Sequence, residues 1–181
     1  MLIPFIGALS TSNEKIAPTL GKDVLISEGA KVIGEVTLGD DVSVWYNCVL
    51  RADVNSIKVG ARTNIQDLTC VHVCRRCASG EGGSPTTIGE EVTIGHSCII
   101  HGCTIGNRCL IGMGAIVMDG AVIGDDSIVG AGALVTKNKH FPPRSLIMGN
   151  PAKFVRELND EEVAALKQSA LDYVNFKNDF L

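Results

Sequence analysis

Aromatic side chains are scarce in this chain: one Trp, two Tyr and five Phe make up 4% of its 181 residues. A wide core leans on such rings, so the scarcity favours a narrow interior filled by Val, Ile and Leu. Long apolar runs are missing too. No stretch approaches the roughly 18 uninterrupted apolar residues of a membrane span, and Met1 to Gly7 lacks the basic start and extended apolar core of a secretory signal. The expectation is a cytoplasmic protein without a membrane partner. There is no basic cluster, and the formal net charge is -4, so nucleic acid would find little of its usual electrostatic attraction. Charged residues make up only 20% of the chain, and the length suits a single stack of coils with a cap.

What is present is a repeat. From Ile88 an aliphatic residue recurs at Ile94 and Ile100, slips once to Ile105, and returns every six positions at Ile111, Val117, Ile123, Val129 and Val135. The same register runs earlier through Ile33, Leu38, Val44 and Leu50, then through Val59, Ile65 and Val71 after a three-residue bulge. A spacing of six fits neither the 3.6-residue helical period nor a two-residue alternation. It fits short strands joined by tight turns in a triangular coil. The pattern resembles the left-handed parallel β-helix of hexapeptide-repeat proteins, with three hexads to a coil. The fold class is therefore mainly β, with the aliphatic position inside and Gly at turns supplying conformations that a Cβ resists. Seven cysteines are an odd number, and Cys48, Cys98, Cys103 and Cys109 lie within the repeat, where they read as small buried residues.

Residues 1–140 form the β-helix on this reading, with an irregular loop at about 74–87. Residues 141–157 are a connection in which Pro142, Pro143 and Pro151 exclude regular structure. A helix occupies 158–181: Asn159 or Asp160 can cap it, Glu161 and Glu162 suit its positive end, and Val163, Leu166, Ala170 and Val174 recur at spacings of three and four. It packs along the outside of the prism.

The repeat fixes where the histidines fall. If Val71 lies on face one, Ile88 opens face two, Ile94 face three and Ile100 face one again. His72 and His101 then occupy the same column one coil apart, at roughly the 4.8 Å spacing of neighbouring strands. Arg51 joins that column. His96 lies on face three, in column with Asp67 and beside Gln66. A histidine on another face of one narrow prism cannot join the stacked pair, but a neighbouring prism in a threefold ring can supply it. The geometry points to a metal site completed across a subunit interface. His140 reads as an ordinary loop residue.

The segments LRADVNSIKVGARTNIQDLTCVH, residues 50–72, and IGHSCIIHGCTIG, residues 94–106, resemble the γ-class carbonic anhydrase family. The resemblance implies a homotrimer that carries out the reversible hydration of carbon dioxide to bicarbonate, with Zn2+ bound by His72 and His101 of one subunit and His96 of the next. It further implies interface ion pairs involving Arg51, Asp53 and Asp67, a place beside the metal-bound water for Gln66, and a nearby one for Asn64. Tyr173 reads as a packing residue of the outer helix, with a polar contact to the neighbouring site as the alternative. Carbonic anhydrases are themselves the reference case for the chemistry: three neutral imidazoles leave the metal charge free to lower the pKa of water from about 15.7 toward about 7. Such ligands also accept Co2+ or Fe2+.

The chain departs from the family where protons must leave. Val54 stands where a proton-handling Glu would follow Arg-x-Asp, and residues 74–84 replace an acidic loop, leaving Glu81 as a substitute. Slow or absent turnover is thus part of the expectation, as is an inactive scaffold. A hexapeptide-repeat acyltransferase using acetyl-coenzyme A is the other alternative, since residues 148–153 are shared with that group, although three histidines favour a metal. Cys74-x-x-Cys77 has no second such pair and reads as an incidental loop feature rather than a redox switch, and Arg75 and Arg76 read as solvated charges.

Overall fold

A computed structural model describes residues 1–5, 15–75 and 83–181. Arg76, Cys77 and Glu81, singled out above, lie outside the described residues.

The hexads form the expected parallel β-helix. Strands of mostly two or three residues stack in register on three faces, each face lined inside by one aliphatic column. Face one stacks Val32, Leu50, Val71, Ile100, Val117 and Val135. Face two stacks Leu38, Val59, Ile88, Ile105, Ile123 and Phe141. Face three stacks Ile26, Val44, Ile65, Ile94, Ile111, Val129 and Ile147. Most of these side chains are excluded from solvent, each contributing about 1.5–3 kcal/mol of burial. Faces one and two join into a single sheet because the strands Lys31–Leu38 and Val49–Val59 run around the corner between them, with a register shift between Gly34 and Val36.

One expectation about the repeat needs correction, and the one about glycine holds only at the corners. Val32, not Ile33, occupies the interior: Val32 pairs with Leu50, while Ile33 pairs with the outward Arg51. The glycine after the aliphatic residue also has a different purpose. A Cβ on Gly112 would stand 2.4 Å from the Ala131 nitrogen, so this glycine permits close approach of the next coil and does not supply a left-handed turn. The left-handed positions are at the corners, where glycines such as Gly114 and Gly120 (both φ 68°) take them as expected and non-glycine residues such as Leu68 (φ 64°) and Arg62 (φ 58°) take others.

The four cysteines are buried as expected. Burial pushes the Cys48 and Cys98 thiols up to about 11 and those of Cys103 and Cys109 up to about 12, which makes them inert packing groups.

The segment 141–157 is not an irregular connection. Ser145–Gly149 continues face three, and Ala152–Glu157 folds back against it antiparallel. Pro142 and Pro143 fall between the strand His140–Phe141 and Ser145–Gly149, and Pro151 falls between Ser145–Gly149 and Ala152–Glu157, where no ladder N–H is needed. The helix runs over Asp160–Asn178, with Asn159 as its cap in a reciprocal pair with Glu162. It lies against face three and buries Leu166, Ala170 and the whole of Lys177, whose Nζ is 3.0 Å from Asp41.

Candidate metal centre

His72 ends the strand Cys70–His72, and His101 ends Ile99–His101; the two strands pair with these residues directly opposite. Val71 and Ile100 point inward and are fully buried, so alternation along the strand turns both imidazoles outward. Their ring centroids are 5.1 Å apart, with His72 Nδ1 3.1 Å from His101 Nε2. Thr86 braces both strands from behind, donating its hydroxyl to the His72 carbonyl and accepting from the Gly102 nitrogen.

Each ring meets a carboxylate on its far side. His72 Nε2 is 3.0 Å from Asp53 Oδ1, and Asp53 also accepts from Arg51. His101 Nδ1 is hydrogen-bonded to Asp119 Oδ1, and Asp119 Oδ2 is 3.1 Å from Lys137 Nζ. Partial burial opposes ionisation of both aspartates, but the hydrogen bonds from His72 and Arg51 hold Asp53 below the usual carboxylate range, and those from His101 and Lys137 do the same for Asp119. An ionised carboxylate only accepts, so each histidine must present its N–H to its aspartate. In the neutral rings the two remaining lone pairs, on His72 Nδ1 and His101 Nε2, face each other at 3.1 Å. Facing lone pairs repel unless a cation lies between them. Two nitrogens each about 2.05 Å from a tetrahedral zinc stand about 3.3 Å apart, so the pair fits a zinc ion, with the carboxylates as outer partners of its ligands.

His96 is not brought to this pair within the chain. It lies at the corner after face three with its Nδ1 2.9 Å from Asp67 Oδ2, in the column expected, and its side chain is 46% exposed. Among the described residues of one chain, no three histidine, cysteine or acidic side chains converge on a common point. His96 is nevertheless oriented by an aspartate in the same way as the other two.

Gln66 and Asn64 belong with His96, on face three. Gln66 Nε2 donates to Asn64 Oδ1 at 3.2 Å, Asn64 Nδ2 donates to Thr93 Oγ1 at 2.9 Å, and Thr93 is 3.3 Å from Ser169 on the helix. Tyr173 packs edge-on against Trp45 and Phe176, and burial together with the nearby Asp67 charge raises its phenol pKa. Val54 is half-buried against the core, an apolar group with no proton to give. The loop after His72 is pinched at its base, where Cys74 and Ser84 exchange backbone hydrogen bonds of 2.9 and 3.3 Å. Asp119 and Lys137 escaped the sequence reading, although the column arithmetic could have reached them: counting on from Val117 and Val135 puts both in line with Gly102, next to His101.

The family described as bacterial transferase hexapeptide (six repeats) matches residues 85–117 and 102–137. A probable carbonic anhydrase of Methanocaldococcus jannaschii is 48% identical over 155 residues, covering 86% of this chain and 93% of that one. The mitochondrial γ carbonic anhydrase 2 of Arabidopsis thaliana is 49% identical over 159 residues, 88% of this chain. This chain belongs to the γ carbonic anhydrase family. It spans only 57% of the length of that Arabidopsis family member. The crystal structure of a hexapeptide transferase family protein from Anaplasma phagocytophilum matches with a TM-score of 0.87 and 41% identity, over 99% of this chain and 98% of that one. Among the described residues, no helix is long and apolar enough to cross a membrane.

Proposed function

We propose that this chain carries out the reversible hydration of carbon dioxide to bicarbonate at a divalent metal, Zn2+ in the first instance and Co2+ or Fe2+ as alternatives, in a cytoplasmic homotrimer. His72 and His101 of one subunit and His96 of its neighbour would hold the metal. The observation that carries this reading is the pair of imidazole nitrogens 3.1 Å apart, each ring backed by an aspartate. Relatives named as carbonic anhydrases support the choice of reaction.

A bound divalent cation supplies the acidity that makes water a nucleophile near neutral pH. The chain's own residues do the rest. Asp53, Asp119 and Asp67 fix the tautomer and angle of the three imidazoles. The Gln66–Asn64–Thr93 chain holds a carboxamide in a defined orientation beside the His96 corner. Arg51 sits in the His72 column, within reach of a neighbour's Asp67 in a closed ring. Val54 cannot relay a proton, so hydration is expected to be slow or absent unless another group such as Glu81 takes its place.

Elemental analysis of anaerobically purified protein, paired with a carbon dioxide hydration assay, tests the reading. About one metal per subunit is expected in the wild type, with loss in His101→Ala. Retention of wild-type stoichiometry by that variant removes His101 from the ligand set. Full metal with no hydration at all leaves the scaffold alternative.

A further inference from the structure

The two converging histidines are backed in parallel ways. Behind His72, Asp53 shares its oxygens between the ring and Arg51. Behind His101, Asp119 shares its oxygens between the ring and Lys137. Asp119 and Lys137 come from the two following coils: Val117 stacks on Ile100 and Val135 on Val117, so Asp119 lies beside Gly102 and Lys137 beside Asp119. Gly102 makes the contact possible. A Cβ there would come 2.5 Å from Asp119 Oδ1, and its φ of 56° also disfavours other residues.

We propose that Asp119, clamped by Lys137, is the positioning residue of His101, and that this pair sets the affinity and geometry of the cation held between His101 and His72. The proposal rests on the metal reading above. An unrestrained imidazole exchanges tautomers and rotates about its side-chain bonds. A carboxylate on Nδ1–H selects the tautomer with its lone pair on Nε2, fixes the ring plane and raises the basicity of the ligating nitrogen. Lys137 adds a second point of attachment, which stops the carboxylate swinging away from the ring. Its side chain is 60% exposed while that of Asp119 is 19% exposed, so the clamp closes from the solvent side onto a partly sheltered carboxylate. An ion pair that only tied one coil to the next would have no reason to place its acidic oxygen on the imidazole.

The full-length protein, stripped with a chelator, is titrated with Zn2+ against a chromophoric competitor and separately reconstituted with Co2+, whose visible bands report coordination geometry. Asp119→Ala is expected to lose about 10–100-fold in Zn2+ affinity and to shift the Co2+ bands. Asp119→Asn, which keeps an acceptor oxygen without the charge, should recover part of both. Lys137→Met should shift the bands in the same direction with a smaller loss of affinity, and Lys139→Met, which removes a charge outside the contact, should match the wild type. Asp119→Asn and Lys137→Met keep the test decisive if Asp119→Ala does not fold. Wild-type affinity and bands in the folded Asp119 variants overturn the positioning role while leaving the metal site standing. A wild-type chain that takes up neither Zn2+ nor Co2+ overturns the metal reading and the positioning role with it.

Discussion

Two defective chains should rebuild a site that neither can form alone. The perturbation is a mixture of His72→Ala and His96→Ala chains, unfolded and refolded together in equal amounts. His72 and His101 share one face, whereas His96 sits with Asp67 at another corner, so in a closed ring each site takes two ligands from one chain and the third from the next. A complete set then needs a His96→Ala chain to donate His72 and His101, followed in ring order by a His72→Ala chain to donate His96. Random association makes about three quarters of the trimers mixed, and every mixed ring has one such junction whichever variant is in the majority. Metal should therefore return to about one quarter of the wild-type content per chain, against almost none in either variant refolded alone. Native mass spectrometry counts both subunits and bound metal in each ring. Mixed trimers without metal would refute the interface geometry, because ligand sets drawn from single chains lack a histidine however the chains are combined.

Arg51→Ala should weaken the trimer by about 3–5 kcal/mol if Arg51 forms a buried pair with a neighbour's Asp67, and metal should be lost as the ring dissociates; light scattering on dilution that shows an unchanged trimer would exclude such a pair. Lys177, wholly buried against Asp41, should tolerate Met, which keeps the apolar stem, with a loss of about 1 kcal/mol because Asp41 stays partly solvated. Lys177→Glu should cost about 3–5 kcal/mol in thermal or denaturant unfolding by burying an unpaired charge, and equal stability of the two variants would show that the ammonium does not dock the helix. Glu162 is held down to about 2 from an ordinary 4.5, first by Arg156 and then by the Asn159 N–H. A lowered carboxyl pKa stabilises above the unfolded value and is lost on acidification. Helicity should accordingly fall between about pH 4.5 and pH 2, and this acid step should shrink in Arg156→Ala.

The period-six pattern made the three faces legible, because a side chain that must fill a narrow prism leaves little choice of residue. His72 and His101 fell opposite each other for that reason, and His96 fell beside Asp67. Where the pattern bends, it misleads: Val32 and Ile33 are equally apolar, and only the pairing through the register shift shows which one faces inward. Pro142, Pro143 and Pro151 obscured two strands because proline rules out ladder donors but not the turns between strands. Lys177 extends the helix's buried stripe, yet composition places lysine at the surface until Asp41 is found opposite it. Asp119 and Lys137 were hidden by a one-residue offset, since their columns run alongside His101 and not through it. The proposed approach of His96 to a second chain would be a relation between molecules, which one sequence can suggest only by exclusion.

The pinch between Cys74 and Ser84 separates what must stay from what is free to vary. His72 is gripped by strands above and below, and Thr86 returns at once to the ladder, so the length and chemistry of the intervening segment can change without disturbing the register of either. Sequence variation in that segment can accumulate while the spacing of His72 and His101 stays constant. A scaffold of this kind invites loop grafting: exchange of residues 75–83 between relatives should transfer differences in rate and leave metal affinity and melting behaviour with the recipient.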